Sequence, residues 1–271
     1  AAALVLLVAG RNRYGWRAGF LAAFAYVVSP AGYSQLSTAR YDGLLALMVI
    51  LSALAAFRAW SNGSGWTWFW LAAAVSTLAK GPLGLMLASL GLLAAVWERR
   101  TGSPAPLRGS HAIGCLLFLA ITGAWFALAY AEVGPPLVRT LIDDELVGHA
   151  VGGRDQQVPL REFYKPTLYL LSRFLPWSLL LVTALWRVFR RPAVVPEERR
   201  RERFLTCSIL GGLSVFSLAA HQRADLIFPL VPPAALLVGR ELARWLGRWE
   251  PVRLRPWIAA GAALGLALTG F

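Results

Sequence analysis

Residues 66–97 read WTWFWLAAAVSTLAKGPLGLMLASLGLLAAVW, two apolar runs separated by Lys80-Gly81-Pro82. A bilayer core about 30 Å thick is spanned by about 20 apolar helical residues, or by fewer where the membrane is locally thinned. The segment is therefore either one long helix broken at Lys80 or a hairpin of two short spans. Either arrangement predicts a membrane protein.

The distribution of basic residues favours the hairpin. With a hairpin, 19 Lys and Arg fall in loops on one face of the membrane and seven on the other; with a single helix the split is 16 to 9 and Lys80 lies in mid-membrane. Cytoplasmic loops carry the excess of positive charge in membrane proteins. The turn at Lys80 is thus predicted to be external, together with the loops 30–41, 132–166 and 221–225.

Composition supports the same fold class. The chain has 271 residues, 57% of them hydrophobic and 15% charged, with a net charge of +13. Such a hydrophobic composition excludes a soluble globular protein. The Lys and Arg residues lie between apolar runs and do not form a continuous basic stripe that would bind nucleic acid. We predict an all-α polytopic bundle, one membrane domain over 1–271.

Eight complete spans are predicted, with partial spans at each end of the chain. Because the chain begins and stops within apolar runs, we expect both ends to be cut from a longer protein. The loop 132–166 is the one long enough for external structure, and Pro135-Pro136 before an apolar stripe predicts an interfacial helix there. The complete spans lie near 18–36, 42–57, 66–79, 82–97, 112–131, 167–189, 204–220 and 226–243, and the partial ones at 1–9 and 257–271.

Two ionisable residues stand at predicted external membrane boundaries. Asp42 opens an apolar run, where a carboxylate is costly unless it is paired, hydrated or bound to a metal; a helix cap or a salt bridge to Arg40 is the simpler alternative. Lys80 sits between short helices, so its ammonium should be recessed and available to a phosphate. The alternative for Lys80 is a side chain that extends to the lipid headgroups.

Six further residues are candidates for substrate binding. Arg223 suits bidentate phosphate recognition, and Asp225 could orient it or His221, although the turn could equally be an ordinary solvated one. Arg173 lies within the apolar run 167–189, where an arginine is either functional or extends to the membrane surface. In the long loop, Glu145 and His149 are four residues apart and could form an acceptor or metal site or a surface ion pair.

These pieces, in this order, resemble the C-type glycosyltransferases that use polyprenyl-phosphate sugars, in the group of protein O-mannosyltransferases and lipid A aminoarabinose transferases. The resemblance covers most of the chain. The motifs that carry it are Tyr41-Asp42, Leu78-Ala79-Lys80-Gly81-Pro82, Phe163-Tyr164-Lys165-Pro166 leading to Phe174-Leu175-Pro176-Trp177, and Arg223-Ala224-Asp225 followed by Pro229 and Pro232-Pro233.

The resemblance implies a multi-pass enzyme of the bacterial inner membrane that moves a hexose or pentose from a polyprenyl phosphate to a lipid, glycan or protein acceptor. It implies that the principal catalytic base precedes residue 1. Asp42 then corresponds to a second acidic position near the reaction centre, with a divalent cation as the possible cofactor, and Lys80 and Arg223 to phosphate contacts. The rival interpretation is a secondary transporter, whose polar sites also lie between short helices.

Overall fold

The computed structural model describes residues 1–37, 41–101, 107–139, 162–219 and 222–248. Within these ranges the chain forms helices and no strand, as the all-α prediction requires. The helices are α1 (Ala2–Tyr14), α2 (Trp16–Val28), α3 (Pro30–Ser37), α4 (Tyr41–Asn62), α5 (Trp66–Lys80), α6 (Leu83–Ser89), α7 (Leu93–Arg100), α8 (Ala112–Val133), α9 (Pro135–Arg139), α10 (Lys165–Arg173), α11 (Ser178–Arg190), α12 (Pro196–Leu218) and α13 (Val231–Arg248), with 3₁₀ turns at Leu90–Leu92 and Phe228–Leu230.

The hairpin at residues 66–97 is confirmed. Helix α5 ends at Lys80, and Gly81 has a φ of 64°, a conformation that favours glycine. In a continuous helix Ser76 and Gly84 would lie about 12 Å apart. Instead, a Cβ added to Gly84 would lie 2.4 Å from the carbonyl group of Ser76. The chain therefore reverses at Gly81, and α6 packs directly on α5 through the missing side chain of Gly84.

We expect Gly84→Ala to destabilise the protein by about 1–3 kcal/mol, because the added methyl group overlaps the backbone of α5. The matched control is Gly123→Ala on α8, where a Cβ would have no heavy atom within 4 Å. That change should be neutral or slightly stabilising, since alanine is the better helix former. Thermal melting of the two purified variants measures the difference, and equal melting temperatures would contradict the close approach.

Two predicted spans are not single straight helices. Residues 165–190 form α10 and α11, which are bent by 118° relative to each other, so the span predicted at 167–189 is wrong as one continuous helix. Pro176 lies in the bend and cannot donate a backbone hydrogen bond. The span predicted at 18–36 is likewise divided, because Ser29 is extended before Pro30.

Two helices in the described part of the chain, α4 and α8, are long and apolar enough to cross a membrane, and the bent pair α10–α11 brings the number to at most three. The total of eight spans stays a prediction. Helix α9 begins at Pro135, where the interfacial helix was predicted. The remainder of the long loop, with Glu145 and His149, lies outside the described residues.

Ion pairs join the arginine-rich helix ends on one side of the bundle. At the end of α7, Glu98 pairs with Arg199 and Arg203 on α12, at N–O distances of 3.2 and 2.9 Å. Arg187 near the end of α11 pairs with Glu241 on α13 at 2.9 Å. These ends therefore share one face, as the charge pattern predicted. We call this side of the bundle the arginine-rich face. The side where α4 begins and α5 ends is called the opposite face.

Candidate active site

A partly buried ion pair joins the two residues that the sequence placed at the membrane boundary. Asp42 lies in the first turn of α4 and Lys80 is the last residue of α5, the neighbouring antiparallel helix. The Lys80 Nζ donates a hydrogen bond to Asp42 Oδ1 at 2.6 Å. The side chains are 7% and 22% exposed, respectively. Among the described residues Asp42 pairs with Lys80, which holds the Lys80 ammonium at the bundle, while Arg40, the alternative partner, lies outside them.

The positions of these charges follow from helix electrostatics. A carboxylate is stabilised near the positive N-terminal end of a helix, and an ammonium near the negative C-terminal end. Asp42 and Lys80 occupy those favourable ends of α4 and α5. Removing one member of such a pair leaves the other charge poorly solvated, which costs about 3–5 kcal/mol in fully buried pairs. The pair is therefore a fixed feature of this end of the bundle.

A second charged group gathers around Asp225. Its carboxylate lies 3.9 Å from Arg173 Nη2 and 3.7 Å from Arg223 Nη2. Arg173 ends α10 at the bend, so it lies at a helix terminus and not in the middle of a span. The Arg223 side chain is 68% exposed, while that of Asp225 is 26% exposed. Arg223 is therefore accessible to an anionic ligand, with Asp225 beside it as predicted.

The two charged groups flank the same part of the core. Helix α4 packs against the 3₁₀ turn 228–230, which follows Asp225 by three residues. Leu45 in the second turn of α4 belongs to one apolar cluster with Ile227 and Phe228. Asp42 and Asp225 thus both precede segments that pack together at the opposite face. That they share one cavity stays a prediction.

The described residues do not by themselves fit a metal site. Within the described ranges, no three or more His, Cys, Asp or Glu side chains are grouped so that they could bind a metal ion. The carboxylate of Asp42 is already engaged by Lys80. His221, Glu145 and His149 lie outside the described residues, so their contacts are not assigned. The divalent cation stays a prediction.

Sequence reasoning missed two pairings within this site, that of Asp42 with Lys80 and that of Asp225 with Arg173. A signal for the first was present, since both residues end apolar runs assigned to the same membrane face, with opposite charges. The second was hidden because residues 167–189 were interpreted as one span, which kept Arg173 within the membrane.

The chain is similar in sequence to curated bacterial transferases. It is 28% identical over 231 residues to the undecaprenyl phosphate-alpha-4-amino-4-deoxy-L-arabinose arabinosyl transferase 1 of Pseudomonas fluorescens (strain Pf0-1), covering 82% of this chain and 38% of the relative. Against the transferase of the same name from Pseudomonas paraeruginosa (strain PA7), the identity is 30% over 244 residues, covering 86% and 41%. The chain spans about two fifths of the length of these relatives. No family model matches.

The fold agrees with a solved structure of the same group. The crystal structure of ArnT from Cupriavidus metallidurans bound to undecaprenyl phosphate superimposes with a TM-score of 0.70 at 20% identity, over 99% of this chain and 47% of that chain. The apo structure gives 0.67. The chain is thus similar in sequence to these transferases and shares its fold with ArnT. The resemblance inferred from the motifs around Asp42, Lys80 and Arg223 agrees with these relatives, which are named as transferases and not as transporters.

Proposed function

We propose that this protein is part of an integral-membrane glycosyltransferase that moves a pentose from a polyprenyl phosphate to a lipid, glycan or protein acceptor on the external side of the bacterial inner membrane. The named relatives support undecaprenyl phosphate-4-amino-4-deoxy-L-arabinose as the donor. The structural observation that carries the proposal is the set of charges at the opposite face: a partly buried Asp42–Lys80 pair, with Arg173, Arg223 and Asp225 beside the same core.

The proposed reaction is a single displacement. An acceptor hydroxyl attacks the anomeric carbon of the sugar, the bond from that carbon to the phosphate oxygen breaks, and the polyprenyl phosphate leaves with the bonding electrons. The hydroxyl proton passes to a carboxylate base, which the family resemblance places before residue 1. No step of this scheme uses a metal ion.

The chain's own residues would bind the phosphate and stabilise its charge. Positive groups held in a water-poor site are effective at this because they need no rearrangement during the reaction. Asp42 orients the Lys80 ammonium, whose positive charge attracts a phosphate. Arg223 is exposed and can offer two parallel N–H groups. We therefore assign Lys80 and Arg223 to the donor phosphate and Asp42 to positioning Lys80.

We expect Lys80→Ala and Arg223→Ala each to weaken the binding of undecaprenyl phosphate by about 10- to 100-fold. A charged hydrogen bond is worth about 1.5–3 kcal/mol, and each 1.4 kcal/mol is tenfold in affinity. If both residues contact one phosphate, the double variant should lose less than the sum of the two single losses. Titration of the four complete proteins in detergent with undecaprenyl phosphate measures these values.

Lys165→Ala is the matched control. Lys165 is predicted to lie on the same face of the membrane, but its ammonium pairs with Glu162 in a partly exposed ion pair. Its removal should leave the affinity unchanged. Unchanged affinity in Lys80→Ala and Arg223→Ala, or strictly additive losses in the double variant, would contradict a shared phosphate. A wild-type protein that moves labelled sugar across vesicles without forming a glycosidic product would contradict the transferase itself.

A further inference from the structure

A polar pocket of about 450 Å³ lies on the arginine-rich face, remote in the bundle from Asp42 and Lys80. It is formed where the end of α1 and the last turns of α13 meet the beginning of α12. Four arginines and two glutamates line it, so its charged lining is net positive, while Glu202 and Glu241 behind the lining also pair with Arg240 and Arg244. The residues concerned are Arg13, Arg201, Arg240, Arg244, Glu197 and Glu198.

The arginines are fixed in place by the glutamates. Arg240, whose side chain is 5% exposed, donates from Nε to Glu198 at 3.0 Å and also pairs with Glu202. Arg244 donates from Nη2 to the same Glu198 oxygen at 3.3 Å. Its Nη1 makes no hydrogen bond but lies 3.8 Å from a carboxylate oxygen of Glu202 and 3.7 Å from one of Glu241. The guanidinium groups of the pocket are therefore preorganised.

Tyr14 supplies an unused hydroxyl group at the same place. Its ring lies 5.8 Å from the guanidinium carbon of Arg201 and 5.5 Å from that of Arg240, within range for cation–π contacts. Its hydroxyl oxygen is buried and has no hydrogen-bond partner. Buried polar atoms nearly always have one. A buried hydroxyl beside arginines that line a pocket indicates an anionic ligand with acceptor oxygens.

An apolar cavity of about 700 Å³ adjoins this pocket and shares Arg13, Tyr14 and Arg201 with it. The rest of its lining includes apolar positions of α1, α4 and α13, among them Leu4, Leu54 and Leu236. On α1 the lining runs from Arg13 to Leu4, nine residues or about 14 Å along the helix. The polar pocket therefore opens into the apolar cavity, which we call the apolar slot.

We propose that this composite site binds an anionic glycerophospholipid from the leaflet at the arginine-rich face. Its phosphate would lie among Arg13, Arg201 and Arg244 and accept a hydrogen bond from Tyr14, and one acyl chain would occupy the apolar slot. The net positive lining favours an anionic over a zwitterionic headgroup, and the slot favours a lipid over a free phosphate. The lipid then joins α1, α12 and α13. This site is independent of the proposed transfer reaction.

Lipid titration of the complete, delipidated protein in detergent, followed by native mass spectrometry, tests the proposal. We expect phosphatidylglycerol to bind at least about 10-fold more tightly than phosphatidylcholine with the same chains, and glycerol 3-phosphate not to compete. Tyr14→Phe and Arg13→Gln should each weaken phosphatidylglycerol binding by about 10-fold. Tyr14→Phe should not lower the melting temperature of the lipid-free protein, because the hydroxyl has no protein partner.

Two matched variants control for changes of tyrosine and of charge. Tyr130→Phe removes an exposed hydroxyl on α8, and Arg17→Gln removes an exposed arginine at the start of α2; neither residue lines the pocket or the slot. Both should bind phosphatidylglycerol like the wild type. Equal affinity for the two lipids, or wild-type affinity in Tyr14→Phe and Arg13→Gln, would overturn the proposal. Full competition by glycerol 3-phosphate would assign the pocket to a free anion and would overturn the proposal as well. The comparison of the two lipids and the competition experiment both use the wild-type protein, so they test the proposal even if a variant fails to fold.

Discussion

Asp42→Asn is expected to reduce sugar transfer by about 100-fold or more in the complete enzyme while leaving it inserted in the membrane. The amide keeps the size of the carboxylate but removes the charge that holds the Lys80 ammonium at 2.6 Å. Losing one preorganised group that stabilises charge in a transition state typically costs 10²- to 10³-fold in rate. Transfer of labelled aminoarabinose from undecaprenyl phosphate in reconstituted membranes measures the effect.

Glu162→Gln is the matched control for this prediction. Glu162 also pairs with a lysine at 2.6 Å, but both side chains are about one third exposed. Transfer should stay near the wild-type rate, because exposed pairs contribute little. A further variant, Asp42→Asn with Lys80→Met, removes both charges and should recover stability lost in the single variant without recovering transfer. Recovery of transfer would show that the pair is merely structural.

Glu98→Ala is expected to lower the free energy of unfolding by about 3–5 kcal/mol, the cost of breaking a buried ion pair. The Glu98 side chain is fully buried and accepts hydrogen bonds from Arg199 and Arg203. Without it two neighbouring guanidinium groups lose their shared counter-charge. Because proteins are typically stable by only 5–15 kcal/mol, much of the variant should fail to fold. Chemical unfolding in detergent micelles, with the yield of inserted protein, provides the measurement.

Glu197→Gln serves as the comparison on the same face. Glu197 is 56% exposed and pairs with Arg13 at 3.4 Å and with Arg201 on its own helix, so its loss should cost no more than about 1 kcal/mol for each pair. If Glu98→Ala and Glu197→Gln were equally stable, the network at the arginine-rich face would contribute no more than a surface ion pair does.

The features predicted correctly from sequence are those with a local physical cause. Lys80-Gly81-Pro82 combines a charge, a residue suited to unusual backbone angles and a residue without an N–H, so the reversal could be predicted from three positions. The common face of the arginine-rich helix ends followed from charge counting alone. Neither inference required knowledge of which helices are neighbours.

The features that were missed depend on lateral packing. Pro176 could have predicted the bend between α10 and α11, but the apolar residues on both sides suggested one span. Asp42 and Lys80 are 38 positions apart, and periodicity does not show which helices will be adjacent. Glu98, followed by Arg99 and Arg100, has the pattern of a solvated helix end. Its burial becomes evident only when α12 is placed against α7.

The distance along the sequence between Glu98 and its arginine partners also determines when their ion pairs can form during synthesis. Arg203 follows Glu98 by 105 positions, and ribosomes add about 5–20 residues per second. For roughly 5–20 s, therefore, the glutamate must remain hydrated while later segments are still being synthesised. The end of α7 can pack against α12 only after α12 has been synthesised. In a nascent chain stalled before residue 199, Glu98 would therefore stay exposed to water at this face.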